Sequence, residues 1–163
     1  MSDSLQSLFS RCDSVLVFDT ETSGLSWQRD EIIEFSAIRL TASGTEEVDE
    51  FVRCTRSLPP RIVELTGITD DLLREEGIGK QAFAELLAAL LTPGTMLAAY
   101  NAQFDLLFLY AFLQKYGDAR RTEIAHVSGR TSRSSTCSRS TATAAPIRTA
   151  CATPSSSMTC RTA

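Results

Sequence analysis

The chain has 163 residues, of which 43% are apolar, enough for one domain with a buried core. The net charge of −4 is unevenly spread: residues 1–121 carry 11 basic and 19 acidic side chains, and residues 122–163 carry five and one. An acidic body argues against binding nucleic acid through a broad basic surface, but it allows an enzyme that holds one strand end through metal ions.

Cysteine usage and hydropathy give an expectation about the cellular compartment. The five cysteines form no C-x-x-C pair, so we expect neither a zinc site nor a disulfide framework. The first residues lack the basic start and apolar core of a secretory signal, and Pro93 and Gly94 interrupt the longest apolar stretch. We therefore expect a soluble, cytoplasmic protein with reduced thiols and no membrane partner.

The first predicted element is a strand that ends in two acids. The apolar residues 15–18 predict a strand buried on both faces, and Asp19 and Glu21 follow directly. Since alternate side chains of a strand share a face, the two carboxylates would lie roughly 6.5–7 Å apart on one side. Such a pair repels unless a cation lies between them, and Mg²⁺ favours oxygen ligands. Taken alone, two solvated acids at a strand end are the plainer interpretation.

Two more strands are predicted after a loop at 24–30. Alternating apolar residues predict a strand over 31–40, residues 42–44 predict a tight turn, and 45–53 predict a more polar edge strand. The short connections indicate an antiparallel meander whose first strand carries the acid pair.

The middle of the chain predicts helices and a crossover. Pro59 and Pro60 predict the start of a short helix over 61–65, and a further turn follows over 70–74. A stronger helix over 80–91 has its apolar residues at 3–4 spacing, and the apolar residues 95–100 predict a strand buried on both faces. Strand, helix and strand in this order predict a parallel crossover.

The last patterned element is a helix over 101–116 with Asn101 as a favourable N-cap. Its main apolar face would be formed by Phe104, Leu107, Phe108 and Ala111, with Phe112 and Leu113 widening it. Asp105 lies in the first turn, where a carboxylate can simply favour the helix dipole by about 0.3–1 kcal/mol. Because sites form at the carboxyl ends of strands in open α/β sheets, we interpret Asp105, taken with Asp19 and Glu21, as functional.

These stretches together resemble the DEDD 3′–5′ exonuclease superfamily, the DnaQ-like or proofreading type. Residues 17–25 resemble its first motif and 100–109 its second, and 58–69 are similar to the segment that such enzymes place beside the substrate strand. The resemblance covers about residues 14–118. It implies a ribonuclease H-like α/β fold, with a mixed sheet of a three-strand antiparallel meander plus a parallel crossover strand and flanking helices.

By that resemblance, Asp19, Glu21 and Asp105 are the catalytic and metal-binding residues of a two-metal site for Mg²⁺ or Mn²⁺. Asp19 would bridge both metals, Glu21 would hold the metal that activates water, and Asp105 would support the second. The implied reaction is hydrolysis at the 3′ end of single-stranded DNA or RNA, releasing nucleoside monophosphates. A DNA polymerase or another replication or repair protein is the implied partner. The residues implied to bind substrate are Thr20, Thr22, Gly24, Leu25, Thr66, Asn101 and Phe104.

The family's third motif, a His or Tyr general base followed by a fourth acid, has no match. The only histidine is His126, no Asp follows Asp118, and no Glu follows Glu123. His126 lies 21 residues after Asp105, too close for a strand and a further helix to intervene. We therefore interpret His126 as a bystander and expect weak or no nuclease activity.

The composition changes abruptly near the end of the chain. From Ser128 to Ala163, 17 of 36 residues are Ser or Thr, and none is Leu, Phe, Tyr or Trp. We predict an incomplete exonuclease-like domain over 1–121 and a disordered, low-complexity Ser/Thr/Arg/Ala tail over 122–163. Because GC-rich codons read out of phase yield such residues, we also hypothesise a frameshift between about 119 and 128 that removes the C-terminal part of the domain.

Three functions are carried forward. The first is a metal-dependent 3′–5′ exonuclease by lineage. The second is a catalytically dead remnant that binds a metal or a strand end. The third is a protein-interaction module whose acids only decorate its surface.

Overall fold

The structure, a computed structural model, describes residues 7–117. Its main elements in chain order are β1 (Ser14–Thr22), β2 (Ile32–Thr41), β3 (Gly44–Phe51), α1 (Pro60–Thr66), α2 (Asp70–Glu75), α3 (Lys80–Leu90), β4 (Thr95–Ala98) and α4 (Ala102–Tyr116).

The four strands form one sheet in the order β3-β2-β1-β4. β2 pairs antiparallel with both β1 and β3, and β4 pairs parallel with β1 from Ser14↔Thr95 to Val17↔Ala98. The predicted meander with a parallel crossover strand is therefore confirmed, and the sheet is of the ribonuclease H-like mixed type. β4 ends at Ala98, two residues earlier than the apolar run predicted.

A chain of aromatic contacts fixes the helices on one face of the sheet. Phe18 on β1 stacks on Phe35 of β2 with ring centroids 6.0 Å apart, and Phe35 meets Phe83 of α3 at 5.5 Å. Phe83 in turn meets Phe112 of α4 edge-on at 4.8 Å. All four side chains are buried, and each such burial stabilises the fold by about 1.5–3 kcal/mol. The core therefore lies between the sheet and the pair α3 and α4.

The buried face of α4 agrees only in part with the predicted one, at Phe108, Phe112 and Leu113. The structure buries Asp105, Phe108, Leu109, Phe112 and Leu113, whereas Leu107 is exposed and Phe104 and Ala111 are half-buried. Because nearly every residue from 104 to 113 is apolar, hydrophobic periodicity alone does not select a face. Contacts with α3 and β1 select it instead.

The expectation that β1 and β4 are buried on both faces is wrong at Val17 and Met96, although Val15 on the same face is buried. α3 and α4 cover the face that carries Leu16 and Phe18, so Val17 and Met96, which lie on the opposite face, are exposed. Ile38, the direct partner of Val17 on β2, is exposed as well.

A second, smaller cluster supports α1 and α2. Ile33, Leu58, Ile68 and Leu73 are buried together beside the start of β2. As predicted, a proline begins α1; the helix ends at Gly67, whose positive φ of 76° is a conformation that glycine adopts at little cost.

No helix within residues 7–117 has both the length and the hydropathy that crossing a membrane requires. The predicted tail at 122–163, His126 and the hypothesised frameshift between about 119 and 128 all lie outside the described residues.

Candidate active site

The carboxyl end of β1 separates polar side chains onto two faces. Asp19 is exposed and Glu21 half-buried, whereas Thr20 and Thr22 between and after them are buried. The two acids therefore share a face of the strand, as the alternation of strand side chains predicts.

A β-bulge follows Glu21 directly. The pairing of β1 with β2 changes from Glu21↔Glu34 to Thr22↔Ile32, which leaves Ile33 as the extra residue. Ile33 is fully buried in the cluster under α1 and α2. Bulges increase the local twist and redirect side chains, and here the change occurs beside the acid pair.

Asp105 reaches β1 from the first turn of α4. Its Oδ1 accepts hydrogen bonds from the backbone N of Thr20 at 3.1 Å and from Thr20 Oγ1 at 2.7 Å, and only 2% of the residue is exposed. Hydrogen bonds to a charged acceptor are stronger than neutral ones, so the pair fixes the start of α4 against β1. The structure thus joins Asp105 to the residue that lies between Asp19 and Glu21 in sequence.

The three carboxyl groups act on one another electrostatically. Burial raises the pKa of Asp19, and the charge of Asp105 raises it further, partly opposed by a hydrogen bond from the backbone N–H of Thr20. Burial also raises the pKa of Glu21, with Asp19 and Asp105 adding to the effect. Raised carboxyl pKa values in a cluster of like charge are typical of functional sites.

Glu34 joins this cluster, a residue that the sequence interpretation missed. It lies opposite Glu21 on β2, and its pKa is raised by burial and then by Asp49, Glu21 and Asp19. Asp49 on β3 accepts a hydrogen bond of 2.8 Å from Ser36 Oγ. The only sequence signal for Glu34 was an acid between the apolar residues Ile33 and Phe35 of the strand.

Carboxylate oxygens are suitable ligands for a hard divalent cation, and water would complete its ligand shell. Within residues 7–117 no three His, Cys, Asp or Glu side chains form a group that could hold a metal ion. Asp19 and Glu21 share one face of β1, and Asp105 binds the hydroxyl of Thr20, which lies on the other face. Mg²⁺ ordinarily takes one or two carboxylates, several waters and substrate phosphate oxygens, and Asp19 with Glu21 fits that pattern.

The loop after β1 holds two of the predicted substrate residues in local contacts. Thr22 Oγ1 donates to the carbonyl of Gly24 at 2.7 Å, and the backbone N of Ser26 donates to Asp30 Oδ2 at 2.8 Å. A Cβ on Gly24 would overlap the Asp30 carboxylate, so this close approach requires glycine. Leu25, next to it, is 86% exposed and accessible to a ligand.

The other predicted substrate residues are dispersed. Asn101 is exposed at the start of α4, and its side chain makes no capping hydrogen bond, contrary to expectation. The ring of Phe104 meets Phe108 at 4.9 Å. Thr66 Oγ1 donates to the carbonyl of Ile62 at 2.9 Å, a contact within α1.

Comparison with known proteins identifies relatives of this site. The family model for exonucleases, RNase_T, matches residues 16–136. The DNA polymerase III subunit epsilon of Treponema pallidum is 36% identical over 99 residues, which are 59% of this chain and 44% of that protein. The PolC-type DNA polymerase III of Halalkalibacterium halodurans is 39% identical over 105 residues, 63% of this chain and 7% of that protein.

Solved structures give the same result. Exonuclease I of E. coli in complex with a dT13 oligonucleotide matches with a TM-score of 0.57 and 27% identity, over 63% of this chain and 24% of that one. A product-bound exonuclease I matches with a TM-score of 0.58 and 28% identity, over 63% and 25%. The chain thus spans less than half of the length of each of these relatives.

Proposed function

The chain belongs to the exonuclease family, and from that premise we propose that its acid cluster binds Mg²⁺ or Mn²⁺ at the 3′ end of a single nucleic-acid strand and hydrolyses the terminal phosphodiester. The observation that carries the proposal is the double hydrogen bond from Thr20 to Asp105. It links α4 to the strand end that carries Asp19 and Glu21, and the charge of Asp105 adds to burial in raising the pKa values of these two carboxyl groups, which a nearby cation would offset.

Each acid has a distinct role in this proposal. Asp19, which is exposed, and Glu21, which is half-buried on the same face, are the direct oxygen ligands. Asp105 is a positioning residue that holds the start of α4 on β1 and adds negative charge beside the ligands. A bound divalent ion would lower the pKa of the attacking water and offset charge on the phosphate.

The loop residues are proposed to hold the strand end. The exposed side chain of Leu25 offers apolar contact to the terminal base, and Asn101 offers an exposed amide at the start of α4. Residues 7–117 contain no histidine, and a general base ordinarily contributes about 10²–10⁴-fold to the rate. We therefore expect turnover slower by about that factor than at a site that has such a base.

The decisive experiment is a shortening assay on the full chain. With Mn²⁺ and a 5′-labelled single strand, we expect slow, stepwise shortening that releases nucleoside monophosphates and is abolished by Asp19→Ala. Asp49→Asn is the matched control, because Asp49 lies on the neighbouring part of the sheet but binds Ser36, and it should keep the activity. Undiminished shortening by the Asp19→Ala protein would rule the site out. DNA and RNA strands run in parallel identify the preferred sugar.

A binding-only site is the second candidate, favoured by the unmatched third motif. It would give no shortening but saturable Mn²⁺ binding that is lost in Asp19→Ala. A protein-interaction module would give neither. A replication or repair protein as partner remains part of this proposal, supported by the polymerase III relatives.

A further inference from the structure

A cavity of about 380 Å³ opens between the loop after β1 and α4. Trp27 and Arg29 line it from the loop, and Lys115 and Tyr116 line it from the helix. Its size falls within the range of about 300–1,000 Å³ that is typical of small-ligand sites. The acid cluster does not use any of these four side chains.

The cavity adjoins the strand end that carries the acids. Ile32, which lines it, pairs with Thr22 of β1, and the neighbouring backbone N of Ser23 donates to the carbonyl of Glu31 at 2.8 Å. Phe108, which also lines it, follows Asp105 by one helical turn, about 4.5 Å along the axis. The cavity lies on the helix side of the sheet, so a strand whose end lies on Asp19 and Glu21, on the other face, would pass the end of β1 to enter it.

One aromatic side chain that lines the cavity, Trp27, has a ring surface that faces solvent. Trp27 is the only tryptophan of the chain, is 37% exposed, and makes no ring–ring contact within residues 7–117. Tyr116, half-buried, already contacts Phe112 at 4.9 Å. An indole with a solvent-facing surface is a platform on which any base can stack, because every base has a π-face.

The charge of the cavity differs in sign from that of the acidic body. Lys80 at its wall is paired with Glu31 at 2.8 Å, and Asp30 lies 3.5 Å from Arg56. Arg29 and Lys115 form no salt bridge within residues 7–117. Lys115 Nζ lies 5.0 Å from the centre of the Tyr116 ring and is attracted by the charge of Glu31, but both cations are left without a salt bridge in the described part of the chain and can face a phosphate.

We propose that this cavity is a stacking subsite for a base of single-stranded nucleic acid, upstream of the 3′ end, with Arg29 and Lys115 beside its phosphates. The proposal rests on the proposed function for the direction of the strand. It adds a sequence-tolerant binding site that the acids alone do not provide, since they repel phosphate in the absence of metal.

Trp27 makes the test direct, because the intrinsic tryptophan emission of the full chain comes from this cavity alone. In EDTA, where no metal-dependent cleavage occurs, we expect a strand of about ten thymidines to quench the emission, and an abasic strand of equal length to leave it unchanged. By anisotropy of a labelled strand, Trp27→Ala should weaken binding about tenfold and Trp27→Phe much less, because Phe retains a ring.

A second variant and a matched control separate the subsite from general electrostatics. Lys115→Ala should weaken strand binding. It should also reduce the slope of log K against log salt concentration by about one, because one phosphate contact is lost. Arg11→Ala removes an exposed cation beyond the opposite end of β1 and should leave binding unchanged. Equal quenching by the abasic strand, or Trp27→Ala binding within about twofold of wild type, would overturn the inference.

The two proposals fail separately. Trp27-dependent binding without any strand shortening would remove the proposed nuclease function and keep the subsite. If strand shortening requires Asp19 but strand binding does not change in Trp27→Ala, the nuclease function is supported and the subsite is ruled out.

Discussion

Thr20 is the residue that connects the parts of the site. It lies between Asp19 and Glu21 in sequence, but its side chain is buried on the other face of β1, where it donates to Asp105. A single residue thereby couples a strand end to a helix start. Asp105 can stay buried because two donors satisfy its Oδ1.

The raised carboxyl pKa values predict a dependence of stability on pH. A raised pKa means that the folded state holds its protons more tightly than the unfolded one. The ionised acids therefore destabilise the apo protein at pH 7, and stability returns as the pH falls through the raised pKa of Glu21 toward its ordinary 4.5. Glu21→Gln should raise the free energy of unfolding at pH 7 in EDTA, by less than about 1 kcal/mol for this partly solvated group.

Urea unfolding at pH 7 and pH 5 measures this effect. The gain from Glu21→Gln should shrink at pH 5 and reverse in Mn²⁺, which stabilises only the protein that binds it. Glu64→Gln, on an exposed part of α1, is the control and should change nothing. A lower free energy of unfolding for Glu21→Gln than for wild type at pH 7 in EDTA would contradict the repulsion between these acids.

At the scale of elements, an ion pair joins the start of β2 to the start of α3. Lys80 Nζ lies 2.8 Å from Glu31 Oε2, and both side chains are largely buried. The backbone N of Thr55 donates to the same Glu31 oxygen at 3.1 Å. Burial alone would raise the pKa of Glu31, but the bonds from Lys80 and Thr55 outweigh it and lower the pKa to about 2.

We expect Lys80→Met to destabilise the fold, because it leaves the Glu31 carboxylate largely buried without its cation. The free energy of unfolding should fall by about 2–3 kcal/mol at pH 7. Since the pKa of Glu31 is lowered on folding, its contribution is present above pH 4.5 and is lost as the pH falls toward 2. The difference between wild type and Lys80→Met should therefore narrow on acidification.

Urea titrations from pH 7 to pH 3 compare the two proteins. Arg74→Met is the matched control, because Arg74 and Asp71 form an exposed pair worth at most about 0.5 kcal/mol. If Lys80→Met lowers the free energy of unfolding as little as the control does, solvent already screens the ion pair between Lys80 and Glu31.

At the scale of the whole molecule, the sheet has one covered face and one open face. Val17 and Ile38 lie directly opposite each other and are 43% and 44% exposed, and Met96 on β4 lies on the same face. Asp19 and Glu21 continue this face toward the strand end. The acid site therefore borders an apolar surface on the exposed side of the sheet, and contiguous surfaces of this kind promote association.

We predict that Val17→Thr combined with Ile38→Thr lowers the fluorescence of bound anilinonaphthalene sulfonate and reduces light scattering. The free energy of unfolding should change by less than about 1 kcal/mol, because both side chains are already partly in water and threonine keeps the strand propensity. Leu65→Thr, an exposed single residue on α1, is the control for a general loss of apolar surface. Dye binding that does not fall in the double variant would show that this face is not the exposed one in solution.

Local chemistry allowed the sequence to predict the sheet. The period of two in the strands, the short connections and the helix between 80 and 90 all act over a few residues, and they define the meander and the parallel crossover. The same alternation placed Asp19 and Glu21 on one face. These features follow from covalent geometry and do not depend on distant contacts.

Tertiary packing decided which groups joined the acid pair. The apolar residues 104–113 left the orientation of α4 open, and it was set by the contact of Phe112 with Phe83 and by the donors that Thr20 offers to Asp105. Glu34 entered the cluster through strand register beside a bulge. The cavity beside Trp27 exists because a loop and the end of a helix meet across residues far apart in sequence. Such contacts follow from the packing of whole elements, which hydrophobic periodicity does not specify.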